Sequence, residues 1–342
     1  MRNLSTQVLF VAVLTLAGLG AARADTVTYR TSTGADATLT GEIVEFNGKE
    51  LRLKQPGGVE SAIPAERVAS FETTWTPEYE EALRLKREGK FAEAVEKFGQ
   101  ALRADKRRWV QRRILADTVR CYTALEQHEQ AATMFLILVG DDPATQYFDA
   151  IPLSWSTHRP SPTLESKASA WMNDAANPVA ALLGASWLLS TGRRGAAVTV
   201  LKRLASDADA RVAALARAQG WQTEIVTATA EDVARWSGLV RQAPAVVRAG
   251  PYLVLGRGWA HCGKSEEAAL ALMRVPILYP ENRPLAADAL VAAGDELLKL
   301  ERRREAEGLY REAVQSYGPS PAAAEARRRL ASLGAQAGDL SQ

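Results

Sequence analysis

Two rhythms divide the chain. Between residues 25 and 73, apolar and polar positions alternate, which is the period of a half-buried strand. Thr26 to Thr31 is β-rich, and Leu39, Gly41 and Ile43 alternate with polar neighbours. Asn47-Gly48 is a hairpin signal, because both residues tolerate positive φ. Leu51 and Leu53 alternate on the return strand, Pro56-Gly57-Gly58 marks the next turn, and Ile63-Pro64 and Val68 to Phe71 complete the set. Short strands at close spacing predict a small barrel-like module, SH3- or Sm-like, or a curled sheet. About fifty residues is marginal for independent stability, so the module is expected to lean on the first helices.

From Pro77 onward the pattern is helical, and alanine and leucine dominate. Thr76-Pro77, Asn177-Pro178 and Ser320-Pro321 each put a capping side chain before a proline suited to the first helical position. A motif of small and large residues then recurs. It reads Gly89, Phe91, Ala94, Phe98, Ala101, then Tyr122, Ala131, Phe135, Pro143. It returns as Tyr252, Leu255, Gly256, Trp259, Gly263, Ala268, Leu272, Pro280, and finally as Gly294, Leu297, Ala306, Tyr310, Ala313. Ala94 and Ala131 are 37 residues apart, and Ala268 and Ala306 are 38 apart.

These residues resemble the tetratricopeptide repeat family, whose motif sets an aromatic and Leu-Gly in one helix and Ala then an aromatic in the next. The spacing exceeds the family's ~34 residues, and residues 177–243 match poorly. The resemblance implies a mainly α protein, an α-solenoid of TPR-like helical hairpins preceded by the β module. The expected divisions are repeats over 77–143, an aromatic and proline-rich insertion over 144–166, divergent hairpins over 167–243, and repeats with a capping helix over 245–334. In this family the first helix of each hairpin lines a concave groove. That implies a partner-binding surface at Tyr79, Lys86, Arg113, Arg120, Arg257 and His261. The lining is largely basic, and Arg pairs well with carboxylates, so an acidic or carboxylate-terminated peptide is the expected partner.

The first residues read as a leader. Arg2 precedes an apolar run from Val8 to Gly20, and Ala22-Arg23-Ala24 supplies small residues at a cleavage site before Asp25. The run falls short of the ~20 residues that span a bilayer, so a cleaved signal, a periplasmic or secreted protein and no membrane span are expected. Cleavage would remove Arg2 and Arg23 and no acid, leaving 40 basic against 40 acidic residues. That balance gives nucleic-acid binding no support. Hydrophobic residues at 47% and charged residues at 24% of 342 suit an ordinary folded protein.

Candidate chemistry is sparse. Gly258 to Ser265 matches the phosphate-loop pattern GxxxxGK[ST]. In a real loop Lys264 would reach the outer phosphate and Ser265 would hold Mg²⁺. Trp259, His261 and Cys262 are bulky for such a cradle, and the repeat explains the segment as helix, turn and helix. His128, His158 and His261 show no metal-ligand spacing, and Ser154, Ser156 and His158 lack a nucleophile-elbow context. The adjacent acids Glu80-Glu81 and Glu266-Glu267 suit helix starts. Lys106, Arg107, Arg108, Arg112 and Arg113 form a basic cluster, read as a solvated face or as groove lining. Cys121 and Cys262 are expected as thiols packed in helices, although export permits a disulfide. The expectation is therefore a non-enzymatic envelope scaffold that binds proteins or peptides, with no cofactor and no metal. The other readings are a nucleotide-dependent enzyme using Lys264 and Ser265, and a cell-wall-associated accessory protein.

Overall fold

The computed structural model describes residues 24–339. The leader expected over residues 1–24 lies outside the described residues apart from Ala24. Five strands come first: β1 (Asp25–Arg30), β2 (Asp36–Phe46), β3 (Glu50–Lys54), β4 (Glu60–Pro64) and β5 (Val68–Glu72). They form one antiparallel sheet in the order β4-β3-β2-β1-β5.

The expected barrel does not close. β4 and β5 are the two edges of the sheet and do not pair. β2 pairs with β1 over its first half and with β3 over its second, and it bends at a register shift between Ile43 and Glu45. The Asp25 carboxylate accepts the Ile43 N–H at 2.7 Å beside that bend. The apolar face, with Val27, Leu51 and Leu53 fully buried, is covered by helices rather than by its own strands. Trp109 is the main plug: its indole N–H donates to the Ile43 carbonyl at 3.0 Å, and its ring meets Phe71 edge-on at 5.5 Å. A helix already seals the core, so strand closure would bury nothing more.

Fourteen α-helices follow among the described residues. The first hairpins are α1 (Pro77–Arg87) with α2 (Phe91–Ala104), and α3 (Arg108–Ala124) with α4 (His128–Asp141). After an extended loop come α5 (Pro162–Met172), α6 (Pro178–Leu188), α7 (Arg194–Leu204), α8 (Ala210–Gln222) and α9 (Ala230–Gln242). The last five are α10 (Ala249–His261), α11 (Ser265–Leu278), α12 (Arg283–Lys299), α13 (Arg303–Tyr317) and α14 (Pro321–Asp339). The starts follow local chemistry: Thr76, Asn177 and Ser320 accept the N–H groups of Tyr79, Ala180 and Ala323 ahead of the prolines.

Four hairpins share one design. Ala94, Ala131, Ala268 and Ala306 are all fully buried where helices cross, and Phe98, Phe135, Leu272 and Tyr310 fill the next turn of each second helix. Gly256 and Gly294 face Leu272 and the Tyr310 ring so closely that a Cβ would lie 2.3 Å and 2.5 Å from them. The turns are equivalent too. Gly89 (φ +75°), Glu126 (58°), Gly263 (70°) and Glu301 (61°) each take the left-handed conformation. The next N–H then reaches back to a carbonyl, in the pairs Lys90–Leu85, Gln127–Tyr122, Lys264–Trp259 and Arg302–Leu297. Two of the four turns put a glutamate where glycine is favoured.

The two ends of the helical region touch. Lys86 of α1 meets Glu281 of the α11–α12 turn at 3.0 Å. The Arg283 guanidinium lies over the rings of Phe91, at the start of α2, and Tyr317, at 5.5 and 5.2 Å.

Candidate functional site

Four of the six expected groove residues meet in one internal network. Tyr79 is fully buried, and its hydroxyl donates to the Asp117 carboxylate at 2.9 Å. Lys86 donates to the other Asp117 oxygen at 2.9 Å. Arg113 donates to the Tyr79 oxygen at 2.9 Å and lies over the Phe71 and Trp75 rings. Arg120 reaches Asp117 at 3.4 Å and grips Asp149 with two bonds of 2.8 and 3.0 Å. Burial pushes the Asp117 carboxyl up, but the charges of Lys86 and Arg120 and the hydrogen bonds outweigh it and hold it below the usual carboxylate range. Asp117, Asp149 and Glu281 thus neutralise the basic lining from within. Arg257 and His261 lie apart from this network. Arg257 donates to the Trp155 carbonyl, and His261 is exposed at the end of α10.

The loop between α4 and α5 covers the core and also borders a cavity. Phe148, Ile151, Leu153 and Trp155 are buried. Trp155 packs where Gly250 leaves room, since a Cβ there would stand 2.0 Å from its ring. Ser186 accepts the Ser154 N–H at 2.7 Å, Gln219 donates to the Ser154 carbonyl at 3.0 Å, and Trp187 donates to the Pro152 carbonyl at 3.0 Å. Residues 156–159 then emerge into solvent. Beside them is a cavity of about 660 Å³, bounded by the α3–α4 turn, this loop, α12 and the α13–α14 connection. Its lining mixes rings (Trp155, Trp187, Tyr317) with charge (Arg120, Glu126, Asp288). Burial raises the Asp288 carboxyl, and the opposing charges of Arg257 and His158 only partly offset this. His128, tilted against Trp187 at 4.5 Å, has its pKa pushed down by burial.

The remaining motifs lie elsewhere. Tyr252 to Leu255 is helical, inside α10, and Gly263-Lys264 is the turn into α11. The Gly258–Ser265 segment is therefore helix-turn-helix, whereas a phosphate loop joins a strand to a helix. Ser154 and Ser156 bond to backbone, and no serine hydroxyl reaches the His158 ring among the described residues. No group of three His, Cys, Asp or Glu side chains suited to a metal occurs among the described residues. Cys121 and Cys262 are both free thiols, and burial pushes the Cys121 thiol up to about 12.

The basic cluster is largely an internal clamp. Arg112, 5% exposed, pairs with Glu45 of the sheet at 2.6 Å and with Asp141 of α4 at 2.5 Å. Arg107 holds Asp105 at 2.6 Å, the Thr73 hydroxyl and the Thr74 carbonyl. Arg108 pairs with Asp141, and Lys106 caps the Arg103 carbonyl. The sheet is thereby tied to α3 and α4.

Sequence reasoning missed Asp117, Asp149, Glu281 and Asp288. Asp117 could have been found, four residues after Arg113 and three before Arg120 on one helix face. Asp288 carries no local signal. No helix among the described residues is long and apolar enough to cross a membrane. No known protein family and no curated protein matches the chain.

Proposed function

We propose that this chain is a non-catalytic scaffold of the cell envelope, a tetratricopeptide-like solenoid that holds a segment of a partner protein in its cavity. The carrying observation is that cavity: about 660 Å³, walled by parts of the chain as far apart as α3 and α14. Its size falls in the range of roughly 300–1,000 Å³ that takes small molecules or a few residues of peptide. A rigid stack of hairpins suits the task, because a preformed surface lowers the ordering cost of binding. Arg113 and Arg120 support an acidic partner less well than their charge suggests, since Tyr79, Asp117 and Asp149 already engage them. Export rests on the leader-like pattern of residues 1–24.

Site-specific photo-cross-linking tests the proposal. A cross-linking residue at Arg159, on the cavity rim, is expected to trap a discrete envelope protein in living cells. The same group at Val226, 74% exposed and outside the cavity lining, is the control. Identical adducts from both positions, or none from Arg159, would overturn it.

A further inference from the structure

We infer that the cavity selects a cationic N–H donor, the ammonium or guanidinium of a peptide, and seats it on the carboxylate of Asp288. This deepens the scaffold reading and rests on it. The other charges that line the space are already paired or lie in solvent. Asp149 is taken by Arg120 at 2.8 Å, Glu281 by Lys86 at 3.0 Å and Glu129 by Lys167 at 2.5 Å. Arg283 is stacked over Phe91 and Tyr317 and donates to the Ser316 carbonyl at 2.5 Å. Glu126 and Arg159 are exposed, where water serves them.

Asp288 is the exception. It sits on α12, half-buried, and opens onto the cavity. Among the described residues it accepts no hydrogen bond and meets no cation at ion-pair distance. The charged groups facing it are Arg257 from α10, His158 from the loop tip and Glu126 from the α3–α4 turn. Arg257 spends a donor on the Trp155 carbonyl, and His158 is exposed. The acceptor positions of Asp288 therefore stay open toward the cavity. A bound cation would supply a partner, and the Trp155 and Trp187 rings that also line the cavity suit a cation as well.

The test uses blocked tripeptides, acetyl-Gly-X-Gly-amide with X as lysine, arginine, norleucine or glutamate, titrated against the full chain by ligand-observed NMR. The lysine or arginine peptide is expected to bind at least ten-fold more tightly than the norleucine and glutamate peptides. Asp288→Asn should abolish that preference, while Asp288→Glu should keep part of it. Equal binding of norleucine, tighter binding of glutamate, absence of binding by all four, or an unchanged preference in Asp288→Asn would each overturn the inference. The charge preference is read on the unaltered protein, so a variant that misfolds leaves the test intact. Rim-specific cross-links without a cationic preference sink this inference alone, whereas loss of the cross-links themselves sinks the scaffold reading.

Discussion

Removing the Asp117 carboxylate should unlock the internal network more than any other single change there. Asp117 is 5% exposed and accepts from Tyr79, Lys86 and Arg120. In Asp117→Ala the Tyr79 hydroxyl loses its acceptor. Lys86 keeps only Glu281, whose side chain is 64% exposed, and Arg120 keeps Asp149. Breaking a buried pair by deleting one partner costs about 3–5 kcal/mol. The two surviving acids place the loss near the lower end, about 3 kcal/mol, or a melting temperature lower by roughly 4–5 °C for a chain of this size. Asp117→Asn retains one oxygen for the Tyr79 hydroxyl and should lose less.

Urea denaturation of all three proteins, with m held as a check on compactness, gives the differences directly. The pH dependence follows from the lowered Asp117 pKa. Burial opposes that lowering, but the Lys86 and Arg120 charges and the hydrogen bonds prevail. The stabilisation is therefore fully present above the unfolded-state value of about 3.9. It is lost as pH falls through the lower folded value. The gap between wild type and Asp117→Ala should hold steady from pH 7 to 5 and shrink below 4. A gap under about 1 kcal/mol at pH 7, or one that widens in acid, would refute the reasoning.

Two further changes probe backbone and docking. Gly48→Ala would set a Cβ 1.9 Å from the Ala144 carbonyl oxygen, at the point where Gly48 also donates to Asp142. Backbone cannot yield as a side chain can, so a loss of about 2–3 kcal/mol is expected in thermal melts; a neutral effect would mean the hairpin does not dock there. Glu301→Gly should stabilise by about 1 kcal/mol, because a glutamate at φ 61° carries strain that glycine avoids. Chemical denaturation showing a loss instead would mean that the Glu301 side chain makes a contact worth more than the strain.

Much of the helical half was legible because its information is local. The Pro-capped starts, the crossing alanines and the glycine turns each act within one or two helical turns, so Thr76, Ala94, Ala268 and Gly263 could be placed from their neighbours alone. The strand positions were legible for the same reason, since alternation and Asn47-Gly48 act over a few residues. Closure of the sheet was not. Whether β4 meets β5 depends on what else covers the apolar face, and that role falls to Trp109, 38 residues beyond Phe71 in the chain.

The candidate site divides in the same way. The family resemblance implied Lys86, Arg113 and Arg120 as a basic lining, and helix spacing puts Arg113 and Arg120 on one face of α3. Only the tertiary structure decided that their charges are already met, because Asp149 and Glu281 come from elements remote in sequence, and side-chain pairing is a matter of distance in space rather than along the chain. The same holds for Asp288: nothing near it in sequence marks it out, and its half-buried carboxylate faces a confined space only when α12, the α4–α5 loop and the α3–α4 turn come together.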